Sequence, residues 1–421
     1  MYNSFDTFKL AVETVHPNNT VLMDDMGMPS VMVRIPKFKI SDVIDGGSTA
    51  TFPAFIVNGV EVPEIFISKY PNIVVNDRAY SLPMRDPRAY VNFDQAKQFC
   101  QSKGKGWHLM TNAEWMAIAY WCRKNGYVPQ GNTSYGCNHA APHEKGVPSY
   151  IYDEGTIGRT YTGSGPITWS HDKTAAGIFD LCGNVWEWVS GFRMKNGEIQ
   201  VIPDNNSAMG VDEGPESPLW RAMLQDGSLV VPGPAGTLKY DSLVAGDATQ
   251  TDHYLSGNMV LSTVRDNPQY TGGDVDAYYG HQYQTFESLG VKEGVTVPEL
   301  AKVLGMYPLD TKEGGHDGDG LWVRNYGERL PLRGGCWLDE SRAGVFALNF
   351  NDPRVNSWNN VGFRAASPPQ PDAWSLRALR QCRGLKGFAP LPKDKLGTAR
   401  RFLCAAATGS MVPGPACSRS I

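Results

Sequence analysis

The chain has 421 residues, of which 41% are hydrophobic and 19% are charged, an ordinary composition for a globular protein with a sizeable core. Its formal net charge of −4 gives no reason to expect nucleic-acid binding across the whole protein. The 45 glycines, 29 prolines and 11% aromatic residues favour a loop-rich architecture with short strands over a helical bundle.

The eight cysteines are scattered without a CxxC pair. This argues against a disulfide-stapled secreted module and against a structural zinc site. The first residues lack the basic and apolar regions of a secretory signal, and no apolar run approaches the roughly 18 residues of a membrane helix. We therefore expect synthesis in the cytoplasm and no membrane span, and leave association with a virion or a cell surface open.

In chain order, residues 1 to about 20 are expected to form a polar arm. The segments Ser30 to Ile40 and Ala54 to Tyr70 predict strands, because both combine β-branched residues with alternation. Asn58-Gly59, between two apolar runs of the second segment, predicts a hairpin turn.

Two helices follow, each with a start signal. Asn92 can cap a helix whose apolar residues fall on one face. Thr111 and Glu114 form a capping box, apolar residues follow it at helical spacing, and Asn125-Gly126 supplies the stop. We expect the aromatic residues and cysteines of both helices to pack in the core.

The hexapeptide GNVWEW, Gly183 to Trp188, predicts a turn and a strand that buries two tryptophans and leaves Glu187 in need of a partner. The region from about 194 to 320 is polar, Gly-rich and irregular. A structureless loop of that length does not fit a compact domain, so this region should contain short elements or pack as an insertion. Residues 367–421 hold nine basic and two acidic residues and predict a flexible basic tail.

Three stretches in this order resemble one family. They are Pro87 to Trp115, the hexapeptide Gly183 to Trp188, and the segment Arg333 to Arg364 that begins with RGG and ends with GFR. Together they are similar to the sulfatase-modifying-factor family, the formylglycine-generating-enzyme-like branch of the C-type lectin fold. The resemblance spans roughly residues 21–366 and implies an α+β domain with two amphipathic helices and short antiparallel strands. Arg333 and Arg364 are expected to brace this frame, with Glu187 as a candidate partner.

Within that family, the 333–364 segment resembles the variable proteins of diversity-generating retroelements, many of them encoded by phages or gut bacteria. The resemblance implies a variable region whose side chains contact a ligand. The expected ligand-binding positions are Cys336, Leu338, Asp339, Arg342, Phe350, Asp352, Val355 and Trp358. Trp358 carries most of this hypothesis, because an aromatic side chain in a polar loop is typical of an interface anchor.

The same resemblance disfavours catalysis. Active members of the family carry two copper-binding cysteines, and the matching positions here are Asp339 and Gly344. Since a soft copper site needs a pair of thiolates, we expect no enzyme activity. A sulfatase-modifying-factor-like enzyme without that cysteine pair and a structural phage protein remain the alternatives.

No cofactor is expected, although a structural calcium is left open. Residues 316–320 and 274–276 place acidic residues in Gly-rich loops, but neither completes an EF-hand pattern. Gln370-Pro371-Asp372 and Trp358-Asn359-Asn360 approximate the two halves of a lectin sugar site in reversed order, which favours chance. The expected partner is a protein or surface-receptor ligand, and nucleic acid is left open only for the basic tail.

Overall fold

The computed structural model describes residues 4–246, 255, 258–274 and 276–368. The basic tail predicted from residue 367 therefore lies outside the described residues except for its first two positions. The Gln370-Pro371-Asp372 motif also lies outside them.

The described chain contains five α-helices, two of which begin where capping signals predict them. The helices are α1 (Ser4–Val15), α2 (Ile40–Val43), α3 (Phe93–Gln101), α4 (Asn112–Lys124) and α5 (Glu299–Val303). Both predicted capping interactions form: the Asn92 side chain accepts a hydrogen bond from the Gln95 N–H at 2.9 Å, and that of Thr111 accepts one from the Glu114 N–H at 3.1 Å. The predicted polar arm contains α1. Among the described residues, no helix has the length and apolar character needed to cross a bilayer.

Short strands make up most of the remaining regular structure. They are β1 (Asn19–Met23), β2 (Pro29–Pro36), β3 (Ile56–Val57), β4 (Val60–Glu61), β5 (Glu64–Ser68), β6 (Ile73–Val75), β7 (Arg78–Tyr80), β8 (His108–Leu109), β9 (Trp186–Trp188), β10 (Phe192–Lys195), β11 (Glu198–Val201), β12 (Arg221–Met223), β13 (Leu229–Val230), β14 (Lys239–Ser242), β15 (Met259–Ser262), β16 (Gln282–Thr285), β17 (Gly290–Val291), β18 (Gly320–Val323), β19 (Glu328–Arg329), β20 (Leu332–Arg333), β21 (Leu348–Phe350), β22 (Val361–Phe363) and β23 (Ala365–Ser367).

The predicted N-terminal strands belong to a five-stranded antiparallel sheet with the order β1-β2-β5-β23-β8. The first segment, Ser30 to Ile40, forms most of β2, and the second holds β3 to β5. Asn58 and Gly59 turn the chain between β3 and β4 with φ angles of 53° and 68°. Positive φ at both central residues is the geometry that an Asn-Gly hairpin turn requires.

The region that appears irregular in sequence, from about 194 to 320, contains a second sheet. Its main path has the order β13-β12-β11-β14-β15-β17, and β10 pairs with both β11 and β19. Most of its strands have only two to four residues. Such short strands, separated by Gly-rich turns, leave little periodicity for a sequence reading to detect.

The third sheet has six strands in the order β16-β18-β21-β20-β9-β22 and separates two parts of the hydrophobic core. Side chains on one face, including those of Leu321 and Leu348, join a large cluster with residues of α4. Side chains on the other face join a second cluster that contains Trp188, Phe363 and residues of α3. The alternation of side chains along each strand produces this separation.

A buried ion pair joins two strands of the third sheet to the rest of the frame. The Arg364 guanidinium donates to the Glu187 carboxylate, with an Nε–Oε2 distance of 2.6 Å, and both side chains are almost fully buried. This identifies the partner that Glu187 needs. Arg333 instead donates to Asn112 Oδ1 at 2.8 Å and to the Gly305 carbonyl at 3.0 Å. Both arginines therefore brace the frame, through different partners.

Candidate functional site

The eight predicted ligand-binding positions divide into two groups by exposure. Leu338, Val355 and Trp358 are exposed and Arg342 is half-buried. The remaining four, Cys336, Asp339, Phe350 and Asp352, are buried. Half of these side chains therefore reach the surface, and ligand binding by the eight positions stays a prediction.

Phe350 is buried because of its phase within β21. Asn349 lies opposite Trp322 in β18, while Phe350 lies opposite Val323 and points to the other face of the sheet. Its ring packs against Phe192 at a centroid distance of 4.9 Å. Phe350 is a core residue and offers no surface to a ligand.

Cys336 and Asp339 are buried next to each other in the loop after β20. The Cys336 N–H and Sγ both donate to Asp339 Oδ2, at 2.8 and 3.0 Å, and the Asn360 amide donates to Cys336 Sγ at 3.3 Å. Burial raises the pKa of the Asp339 carboxyl and raises that of the Cys336 thiol well above its ordinary value. A thiol held in its protonated form is a poor nucleophile and a poor metal ligand.

A cavity of about 330 Å³ opens on the face of the third sheet opposite Phe350. We call it the aromatic cavity, and its lining residues are Trp186, Tyr278, His281, Trp322, Arg324, Asn349, Asn351, Asp352, Trp358, Asn360 and Val361. Four sheet strands, β9, β18, β21 and β22, each supply part of the wall. Two of the predicted positions, Asp352 and Trp358, line it.

Aromatic rings form much of this wall. Trp186 and Trp322 meet edge to face at a centroid distance of 5.2 Å, and Tyr278 and Trp358 do so at 6.3 Å. Tyr283 packs on Trp322 at 5.0 Å. The first two contacts are edge to face, an orientation that aromatic pairs prefer, and the third is tilted.

Charged groups lie beside the rings. The Arg324 guanidinium lies over the Tyr278 ring at 4.8 Å, and its Nη1 donates to the Asn351 carbonyl at 3.2 Å. Burial raises the pKa of the Asp352 carboxyl, while the positive charge of Arg324 and hydrogen bonds from Trp358 and Asn356 oppose that rise. The cavity thus combines apolar ring surfaces with a cation, a carboxyl group and several carboxamides.

Two of the four buried predicted positions, Cys336 and Asp339, support the aromatic cavity from behind. Asn360, which lines the cavity, donates to Cys336, and the Trp186 side chain hydrogen-bonds to Asp339, which moderates the rise in the carboxyl's pKa. Arg342 lies beyond the cavity wall, over the Tyr283 ring at 5.7 Å. A substitution at Cys336 or Asp339 would therefore reach a ligand only through the residues that line the cavity.

Several residues that line the aromatic cavity are not predicted from the sequence. Tyr278 and His281 lie in the region that appeared irregular, within the aromatic-rich stretch AYYGHQYQ. Trp322 and Arg324 lie in GLWVRN, where alternation is the signal that could have placed Trp322 on the face opposite Leu321. The first stretch lies about 50 residues before the 333–364 segment and the second ends eight residues before it, and the fold brings both to the cavity.

The position that matches the second copper cysteine of the family is tightly enclosed. A side-chain carbon added at Gly344 would lie 1.9 Å from Asp319 Oδ1, so a cysteine cannot occupy it without a local shift. Within the described residues, no three His, Cys, Asp or Glu side chains are grouped to hold a metal ion. This includes the described parts of the two acidic loops for which a calcium ion was left open.

Comparison with models of known protein families identifies the class of domain. The model of the Sulfatase-modifying factor enzyme 1-like domain family matches residues 12–265, which end before the 333–364 segment. No curated protein sequence matches the chain.

Similar solved structures are distant. PvdO from Pseudomonas aeruginosa is 13% identical, with 83% of this chain and 98% of that chain covered and a TM-score of 0.32. Treponema denticola variable protein 1 is 11% identical, with 84% and 100% covered and a TM-score of 0.29. The Major Tropism Determinant U1 variant is 13% identical, with 83% and 71% covered and a TM-score of 0.27.

Proposed function

Because this chain belongs to the Sulfatase-modifying factor enzyme 1-like domain family, with an α+β fold of mostly short strands, we propose that it uses this fold to bind a ligand without catalysis. The ligand enters the aromatic cavity and contacts the surface around it. The observation that carries this proposal is the convergence of Trp358 and Asp352 with three further aromatic residues from distant parts of the chain in one concave site. Concave sites that combine apolar surface with convergent polar groups are the usual form of a binding site.

The frame beneath the site supports binding without rearrangement. Trp186 and Trp322 are held by each other, and the adjoining strands are tied to the core by the Arg364–Glu187 pair. A site that is ordered before the ligand arrives loses less conformational entropy on binding. More of the favourable free energy of the contacts with the ligand then contributes to the affinity.

The side chains of the 333–364 segment favour ligand binding over oxidation of a substrate cysteine. The two positions that correspond to copper cysteines hold Asp339 and Gly344, and the nearby Cys336 is buried with a raised pKa. The pair of thiolates that a soft copper site uses is therefore not supplied by these three residues.

We further propose that the 333–364 segment is diversified by a retroelement, as its resemblance to variable proteins implies. Leu338, Arg342, Val355 and Trp358 would vary in contact with the ligand, while Cys336, Asp339 and Asp352 would vary beneath or within the cavity. A partner on a protein or cell surface suits such a site, and presentation in many copies on a virion or cell would raise a weak contact to useful avidity.

The binding proposal is tested by measuring attachment of the labelled full chain to a panel of bacterial cells. Trp358→Ala is expected to weaken attachment roughly tenfold, because aromatic anchors dominate many interfaces. Tyr135→Ala is the matched control, since Tyr135 is also exposed but does not line the aromatic cavity. Attachment that is equal for the two variants and the parent chain would reject the cavity as the binding site and favour a structural role.

Two further observations separate the alternatives. Copper-dependent oxygen consumption with a cysteine-containing peptide would reject the non-enzymatic proposal. The retroelement proposal predicts a near-copy of the coding segment for residues 333–364 beside a reverse-transcriptase gene, differing only at template adenines. A genome without that copy would remove diversification and leave ligand binding to be tested separately.

A further inference from the structure

We infer that the aromatic cavity takes a neutral saccharide, one or two pyranose rings of a surface glycan. This inference rests on the proposed binding function and specifies its ligand. It follows from three properties of the lining: ring faces, clustered carboxamides, and the position of the arginine.

The ring faces suit the C–H surfaces of a pyranose. Trp186 and Trp322 stand at 89° to each other, and Tyr278 and Trp358 stand at 69°, so the cavity has apolar walls in more than one direction. The negative face of an aromatic ring attracts the weakly positive hydrogens of a C–H surface. Trp358 is about half exposed and can cover a bound ring from the solvent side.

The polar groups suit hydroxyls. Asn349, Asn351 and Asn360 line the cavity together with Asp352, and each carboxamide offers donors and an acceptor. A sugar hydroxyl also donates and accepts, so adjacent hydroxyls can pair with such groups on both sides. Within the described part of the chain, the buried side-chain oxygen of Asn351, a residue of the cavity lining, has no hydrogen-bond partner and is an acceptor that a ligand hydroxyl can satisfy.

Other ligand classes fit less well. A cationic ligand would meet Arg324, whose guanidinium already lies over the Tyr278 ring at 4.8 Å. A purely apolar peptide side chain would bury the carboxamides without hydrogen bonds, which is costly. The volume of about 330 Å³ lies at the lower end of the roughly 300–1,000 Å³ typical of ligand sites, which favours a compact ligand over an inserted protein loop.

Saturation-transfer NMR of the full chain with maltose, cellobiose, lactose and N,N′-diacetylchitobiose tests contact with ring protons directly. We expect ring-proton signals from at least one of these disaccharides. Trp358→Ala should weaken that binding roughly tenfold, whereas Trp358→Phe should retain most of it, because an aromatic face remains. Equal weakening by Ala and Phe, or by Tyr135→Ala, would contradict stacking on Trp358.

Cells to which the chain attaches through Trp358 give the deciding measurement. Mild periodate cleaves vicinal diols of surface glycans, and protease removes surface proteins. Loss of attachment after periodate supports the saccharide. Attachment that survives periodate and disappears after protease overturns the saccharide while leaving the proposed binding function intact. Attachment that never depends on Trp358 rejects the proposed function itself.

Discussion

Alternate residues of the same strands have different roles on the two faces of the six-stranded sheet. In β21, Leu348 and Phe350 point into the large core cluster, while Asn349 between them lines the aromatic cavity. In β18, Leu321 and Val323 are core residues and Trp322 lines the cavity. One short strand thus holds the fold together on one side and offers contacts on the other.

In the 333–364 segment, whether a side chain is exposed depends on which face of its strand it occupies and on how the loops pack. Positions close together in sequence have opposite roles, and positions far apart share one site. Substitution of Phe350 should therefore change stability and substitution of the exposed Trp358 should change binding, whereas a buried lining residue such as Trp186 contributes to both.

The largest effect is expected when the ion pair of the frame is broken. Arg364→Met leaves the buried Glu187 carboxylate without its counter-charge, which should reduce the free energy of unfolding by about 3–5 kcal/mol. Urea unfolding at neutral pH measures this change in the free energy of unfolding. Glu216→Gln is the matched control, because the Lys195–Glu216 pair is exposed and such pairs contribute little. Equal stability of Arg364→Met and the parent chain would contradict the bracing role.

Phe350 and Trp358 test the two faces directly. Phe350→Ala should cost about 3–5 kcal/mol, because it removes a fully buried ring that packs on Phe192 and leaves a cavity. Trp358→Ala should cost about 1 kcal/mol or less, because its ring is half exposed and surface substitutions are mild. Thermal unfolding of both variants measures the contrast, and a similar loss in both would remove the distinction between the faces.

A pH effect is expected from Asp180, which lies beside the frame. Burial raises the pKa of its carboxyl to about 6 from an ordinary value of 3.8, with the Gly163 N–H and the charge of Arg364 opposing the rise. The folded state therefore favours the protonated form, so this carboxyl contributes most stability below pH 4 and loses it as the pH rises to about 6, by up to about 3 kcal/mol.

Asp180→Asn removes this proton linkage while preserving the shape of the side chain. Asn also tolerates the left-handed backbone at this position, where φ is 61°. Between pH 4 and 6, the variant should lose part of the decline in stability that urea titrations of the parent chain show. An unchanged slope would mean that Asp180 is not the group responsible.

The smallest effects are expected at the three exposed or half-buried predicted positions that do not line the aromatic cavity. Leu338→Asn and Val355→Asn should each change the free energy of unfolding by less than about 0.5 kcal/mol, because these side chains are exposed. Arg342→Asn should cost about 1 kcal/mol, because the Arg342 Nε donates to the Asp339 carbonyl at 3.0 Å. Thermal unfolding measures this tolerance, and cell attachment measures its functional counterpart. A loss of several kcal/mol at any of the three positions would mean that its side chain stabilises the fold.

Local signals allowed much of the frame to be predicted from sequence. The capping residues Asn92 and Thr111 place α3 and α4, and Asn58-Gly59 places a turn. The need of Glu187 for a partner follows from its position between two buried tryptophans, and Arg364 meets it. Each of these signals is carried by residues within a few positions of one another, or by a charge that burial obliges to pair.

The site was harder to predict, for physical reasons. Cys336, Asp339, Phe350 and Asp352 have side chains compatible with either face, and their burial depends on strand phase and loop packing. Tyr278, Trp322 and Arg324 reach the cavity through pairings between β16, β18 and β21. Pairing between distant short strands leaves no periodic pattern in the segments themselves.

The position of β23 has a consequence for how this protein is made. β23 lies between β5 and β8, and its Ala366 pairs with both Ile67 and His108. Because β23 follows the 333–364 segment in the chain, the first sheet is complete only after that whole segment has been synthesised. A frameshift or premature stop in that segment removes β23 and leaves strand edges exposed on both neighbours. A chain that lacks β23 should therefore be less stable than the parent chain, because β5 and β8 lose their shared partner strand.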